Sequence, residues 1–230
     1  MKTIGLIGGM SWESTESYYR AINEGIKNRL GGLHSAKLVL VSVDFAEIEE
    51  LQRQGKWSET GNILSNAAQR LEKAGADFIL VCTNTMHLVA PEIQAAVSIP
   101  LLHIADATAE EIKQSGISNI GLLGTAFTME EDFYKGRLEQ KYGLNVVIPN
   151  KVDRKIIHQI IYGELCLGKI KDSSRKEYLR IIDALIEQGA EGVILGCTEI
   201  ALLVKPEDTK VKLFDTTKIH AQKAVEKAVC

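Results

Sequence analysis

Two rhythms of apolar and polar positions alternate along this chain. Short apolar runs with many β-branched residues fall near 3–8, 37–43, 77–82 and 99–104, and again near 118–124, 144–148, 192–196 and 211–214. Such runs predict strands buried on both faces. Between them the apolar positions recur at helical spacing. Ile22, Ile26 and Leu30 lie four residues apart, with Ser11 as a cap and Gly31-Gly32 as a stop, which predicts a helix over about 13–30. Ser58 precedes a second helix carrying Ile63, Leu64, Ala67, Ala68 and Leu71 and ending at Gly75. Further helices are expected from Met129 to Gln140, from Ser173 to Gln188 and over about 216–229. Strands alternating with helices imply parallel pairing, with helices on both faces of each sheet.

The pattern also repeats itself. Ile4-Gly5-Leu6-Ile7-Gly8-Gly9-Met10 returns 116 residues later as Ile120-Gly121-Leu122-Leu123-Gly124-Thr125-Ala126. The segment Ala74–Asn84, which contains Cys82-Thr83, is echoed by Gln188–Glu199, which contains Cys197-Thr198, and the two cysteines are 115 residues apart. That is half of the 230-residue chain. The expected fold is therefore α/β, with two pseudo-symmetric doubly wound domains, each a parallel four-stranded sheet. The first domain is expected to comprise 1–105 plus 216–230 and the second 106–215. The crossovers fall near 105–108 and 215–217, and the last helix returns to the first domain.

Composition narrows the function. A net charge of −3 argues against a nucleic-acid partner, which usually leaves a basic footprint. No apolar run approaches the ~20 residues of a membrane helix. The apolar opening is short and runs into Glu13 without a plain cleavage site, so it reads as a buried strand and the protein as cytoplasmic. Four cysteines in a chain this long are too few for a disulfide scaffold and are expected to be reduced.

Cys82 and Cys197 each sit at the carboxyl end of a predicted strand, where open parallel sheets bind ligands. If the halves face each other, the thiols meet across one inter-domain cleft and reach one carbon from two sides. A racemase needs that arrangement: one group removes the α-proton and the other returns a proton to the opposite face. A helix N-terminus after each thiol would lower its pKa and hold a substrate carboxylate. The competing use of a cysteine is as a small buried hydrophobe, but two Cys-Thr pairs at matched positions favour function. No C-x-x-C supports a redox pair, and only His87 lies nearby as a further zinc ligand, so no metal is expected. A dinucleotide oxidoreductase is disfavoured because the first glycines do not read G-x-G-x-x-G and Asp44 lies 35 residues beyond Gly9 rather than ~20. A non-catalytic amino-acid-binding protein would also suit two domains around a cleft, but needs no thiols.

Three motifs carry a family resemblance: Gly8-Gly9-Met10-Ser11-Trp12-Glu13-Ser14-Thr15, Cys82-Thr83-Asn84-Thr85-Met86-His87 and Gly196-Cys197-Thr198-Glu199-Ile200. In order and extent the chain resembles the aspartate/glutamate racemases. The first motif and Glu164-Leu165-Cys166-Leu167-Gly168 resemble its broad-specificity amino-acid racemase branch. The resemblance implies a cofactor-independent racemase with Cys82 and Cys197 as the two acid/base residues. It also implies a small-molecule amino-acid substrate and a homodimer. Met10 is expected to line the pocket or to pack as filler. Thr83, Asn84 and Thr85 are expected to bind the amino acid, to cap the next helix, or both. Thr198 and Glu199 are their counterparts, with Glu199 oriented toward the ammonium or serving as a first-turn helix acid. Gln52 or Arg53 is expected to meet the substrate, and Lys169 to bind it or remain solvated. Arg53 with Lys169 would select aspartate or glutamate; Gln52 with neutral groups would accept homoserine, methionine or similar side chains. Hydantoin racemisation remains a neighbouring alternative.

Overall fold

A computed structural model describes residues 1–230. The chain forms two compact units, Met1–Ile104 with His220–Cys230, and Ala105–Ile219.

The first unit is built on β1 (Ile4–Gly8), α1 (Trp12–Leu30), β2 (Leu38–Ser42), α2 (Phe45–Arg53), α3 (Trp57–Lys73), β3 (Phe78–Val81) and the short α4 (Ala90–Ala95). Its sheet has the order β2-β1-β3, all parallel. The helix α5 (Ile104–Gln114) starts on the last residue of this stretch of the first unit and lies in the second unit from Ala105 onward, followed by β4 (Asn119–Gly124), α6 (Ala126–Glu130), α7 (Lys135–Tyr142), β5 (Asn145–Val147) and α8 (Lys151–Gly163). Next come α9 (Asp172–Glu187), β6 (Gly192–Gly196), α10 (Ile200–Leu203), β7 (Lys212–Asp215) and α11 (Thr216–Val229), whose residues from His220 onward belong to the first unit. The second sheet is parallel, in the order β5-β4-β6-β7.

Both central strands obey one local logic. α3 stops at Gly75 and α9 at Gly189, each with a positive φ that a side chain would resist. Ala76 and Ala190 follow, then an acid. Asp77 accepts the Thr3 N–H at 2.6 Å, and Glu191 accepts the Asn119 N–H at 2.9 Å. The acid thus pins the entry to β1 or β4 while its own strand pairs alongside. Gly5 and Gly121 keep those central strands thin. A methyl on Gly5 would lie 3.2 Å from Leu71 of α3, and one on Gly121 would lie 3.0 Å from Leu185 of α9.

Two apolar layers flank the first sheet. Ile7, Ile79 and Val81 pack with Ile48, Leu64, Leu71 and Met86 on one side. Ile4, Leu6, Phe78, Leu80 and Cys82 pack with Tyr18, Ile22 and Ile26 of α1 and Ala221, Ala224 and Val225 of α11 on the other. Removing each of the isoleucines from water is worth about 1.5–3 kcal/mol. The layer explains why α1 repeats every four residues, and why α11 joins the first unit. The Ser11 cap of α1 is present, its Oγ accepting from the Ser14 N–H at 3.3 Å.

Three expectations change. The first sheet has three strands, because the segment 99–104 forms a single bridge, Leu101 beside Ile79. β2 is an edge strand, with Leu40 41% exposed, rather than buried on both faces. The helix expected over Met129–Gln140 is divided into α6 and α7. No helix is long and apolar enough to cross a membrane.

Candidate active site

The first candidate thiol follows β3. Cys82 is fully buried, and its backbone is held on both sides. Its N–H donates to the Ile7 carbonyl at 2.9 Å, and its carbonyl accepts from Ser14 Oγ at 2.9 Å. Ser14 reaches it because the loop after β1 turns sharply. Gly9 has φ of +93°, and a Cβ there would fall 2.2 Å from the Val43 carbonyl oxygen. The Gly9 N–H donates to Thr15 Oγ1 at 2.8 Å, and Thr15 Oγ1 donates to the Ser11 carbonyl at 2.9 Å. The motif Gly8–Thr15 thus folds back on the first turn of α1 and anchors the Cys82 carbonyl. Sequence reasoning quoted Ser14 within its motif but assigned it no role.

Met10 is buried in the layer that contains Ile7, Ile48 and Met86, whereas Cys82 belongs to the opposite layer with Leu6 and Leu80. Asn84 and Thr85 are buried and Thr83 is half-buried. Asn84 precedes the short 3₁₀ turn Thr85–Val89 without a side-chain cap bond to it. Gln52, on the last turn of α2, is 4% exposed, and its Nε2 donates to Met86 Sδ at 2.8 Å. Arg53 lies on the outside and pairs with Glu50. The two residues left open by sequence are therefore separated by one helical step, Gln52 inward and Arg53 outward.

The second candidate thiol follows β6, the strand that occupies β3's place in the second sheet. Cys197 is buried, and its S–H donates to Glu199 Oε2 at 3.0 Å. The same oxygen accepts from Thr198 Oγ1 at 2.7 Å. One carboxylate oxygen thereby gathers two donors from consecutive residues. Glu199 is itself 3% exposed. Lys169 is exposed in the turn after Gly168, its backbone N–H donating to the Glu164 carbonyl.

Both thiols are pushed up in pKa, not down. Burial does this at Cys82. At Cys197 burial acts first, and the neighbouring Glu199 charge and Cys166 add to it. The expected helix-terminus effect loses because the turn after Cys82 has five residues and α10 only four. Such short pieces align few peptide dipoles, while desolvation of a thiolate is costly. Both cysteines therefore rest as thiols. Cys166 and the fully buried Tyr178 join the surroundings of Cys197 electrostatically, which no sequence signal indicated. No group of three or more His, Cys, Asp or Glu side chains is arranged to hold a metal ion.

The profile of the Asp/Glu/hydantoin racemase family matches residues 7–224. The chain belongs to this family. It is similar to the broad specificity amino-acid racemase RacX of Bacillus subtilis (strain 168), with 25% identity over 96% of each chain. It is 58% identical to a Yersinia pestis crystal structure provisionally described as an Asp/Glu racemase, over 100% of both chains with a TM-score of 0.93. It is 40% identical to an aspartate racemase homologue from Pyrococcus horikoshii OT3, again over 100% of both chains, with a TM-score of 0.86.

Proposed function

We propose that this protein racemises free amino acids without pyridoxal phosphate or metal, using Cys82 and Cys197 as its two acid/base groups. The observation that carries this reading is the matched pair of thiols. Each unit presents a Cys-Thr at the end of the equivalent strand, one after β3 and one after β6. A single structural cysteine would not need a counterpart 115 residues on.

The proton accounting follows from the donors present. One thiol must lose its proton before it can act as a base. Cys197 already directs its S–H at Glu199, so the carboxylate is the first acceptor available to it. The resulting thiolate removes the α-proton, and the C–H electron pair spreads into the substrate carboxylate. Cys82, held as a thiol by its burial, then donates its proton to the opposite face. In the reverse direction the roles exchange.

For the substrate, we infer neutral side chains such as those of homoserine and methionine. Gln52 is the inward-facing residue of its pair, while Arg53 and Lys169, the cations that would bind a second carboxylate, are exposed. The similarity to a broad specificity racemase supports the same choice.

The test is a panel of L-homoserine, L-methionine, L-aspartate, L-glutamate and a 5-monosubstituted hydantoin in D2O, with no cofactor added. Chiral chromatography with mass spectrometry reads both inversion and α-deuteration. The expected outcome is D-homoserine and D-methionine, each carrying deuterium at the α-carbon. Turnover of the acidic pair alone would overturn the specificity, and turnover of the hydantoin alone would reassign the substrate class. No exchange with any compound would overturn the racemase reading.

A further inference from the structure

Three of the five histidines of this chain meet in the first unit, and one of them reaches the backbone beside Cys82. His87 lies in the turn that follows that thiol and is 1% exposed. Its Nδ1 lies 2.8 Å from the Thr83 carbonyl oxygen, and its Nε2 accepts the Ile104 N–H at 3.2 Å. Because an amide can only donate, Nε2 carries the lone pair and Nδ1 carries the hydrogen, which it donates to Thr83. Residue 87 closes the turn twice, since its own N–H also donates to the Asn84 carbonyl at 3.0 Å.

The other end of this linkage is the segment that failed to become a fourth strand. Its backbone pairs with β3 around the Leu101 bridge, the Leu102 N–H donating to the Ile79 carbonyl at 2.9 Å. Beyond that bridge, imidazoles take the place of a strand partner. His220 Nε2 lies 2.8 Å from the Leu102 carbonyl oxygen and donates to it, while its Nδ1 accepts from Tyr18 Oη at 2.8 Å. The His103 ring lies 4.6 Å from that of His87, and the His220 ring lies 6.0 Å from it.

We propose that His87 is a positioning residue for Cys82: its imidazole ties the carbonyl of the next residue, Thr83, to the amide of Ile104, and so fixes the thiol's place. This rests on the reading of Cys82 as an acid/base group. With the Ile7 and Ser14 bonds, the His87 bond makes three constraints on the Cys82–Thr83 backbone. Proton transfer to carbon is sensitive to placement, and a shift of about 1 Å can cost about 100-fold in rate.

Three variants separate the two ring nitrogens. His87→Asn keeps a donor at the Nδ1 position, His87→Gln keeps an acceptor at the Nε2 position, and His87→Leu keeps neither. The expected kcat falls by about 10–100-fold in His87→Gln and His87→Leu, with KM changed less than about 3-fold, and His87→Asn recovers most of the loss. A second readout does not depend on turnover. Alkylation by iodoacetamide, resolved by peptide mass spectrometry, is expected to speed up several-fold at Cys82 in His87→Gln and to stay unchanged at Cys197. An inactive wild type would defeat the racemase reading and leave this comparison intact. Equal kcat in His87→Gln and wild type, an His87→Asn as impaired as His87→Leu, or unchanged Cys82 alkylation would each overturn the positioning role.

Discussion

Cys82→Ser and Cys197→Ser are each expected to lower racemisation by about 10²–10⁴-fold, by similar factors from the L and from the D enantiomer. The symmetry is the informative part. In the proposed mechanism each direction uses both thiols, one to take the proton and one to give it, so neither substitution would spare one direction. Serine retains the shape, but its hydroxyl is a far weaker acid than a thiol and cannot supply the base. The double variant is expected to be little worse than either single one, because the two groups act as a unit. Cys230→Ser, at an exposed terminal thiol, serves as the control and is expected to leave the rate unchanged. Progress curves from both enantiomers, followed by circular dichroism, provide the check. Retained activity in Cys82→Ser would remove that residue from the chemistry.

Mild acid is expected to destabilise the first unit through His220. Burial, and then the nearby His87, lower the pKa of this imidazole to about 3 from the ordinary 6.5, against a smaller opposing effect of the Leu102 carbonyl. The unfolded chain therefore takes up a proton near pH 6.5, while the folded chain declines it until about pH 3. Stability is full above the unfolded value and falls as pH drops below it. The slope is about 1.4 kcal/mol per pH unit, or about 3 kcal/mol by pH 4.5. That is a large part of the 5–15 kcal/mol typical of a folded domain. Carboxylates begin to protonate in the unfolded chain toward pH 4.5, but they do so alike in wild type and in His220→Gln, so the difference between the two isolates His220. Trp12 and Trp57 both lie in the first unit, so their fluorescence follows the unit that contains His220. Urea titrations of wild type and His220→Gln between pH 7 and 4.5 are expected to differ in slope by this amount. Parallel pH dependences would show that His220 does not supply the acid sensitivity.

How legible all this was depended on the range of each interaction. The strands announced themselves because a buried parallel strand needs only a local apolar run. The two thiols were found because the repeat displayed them twice. The fourth strand of the first sheet was expected from the apolar segment 99–104, but its pairing is limited to the Leu101 bridge, and Leu102 and Ile104 bond to imidazoles instead. No local signal could show this, because His220 lies 118 residues beyond Leu102. The orientations of Gln52 and Arg53 were also closed to sequence, since adjacent residues on a helix differ in which way they face. The thiol acidity was misjudged for a different reason. Strand ends followed by Cys-Thr suggested full helix termini, whereas the actual turns are too short to offset desolvation.

The central claim is that two groups, not one, handle the α-proton, and the fate of deuterium tests it most directly. A single pure enantiomer is converted in D2O to low extent, and both enantiomers are then separated and weighed by mass spectrometry. If two separate thiols handle the α-proton, as proposed, the incoming hydrogen comes from a thiol already exchanged with solvent. The product enantiomer is then fully deuterated at the α-carbon, while recovered substrate keeps its original hydrogen. Deuterium appearing equally in recovered substrate and product would mean that one group serves both faces, and would contradict the account.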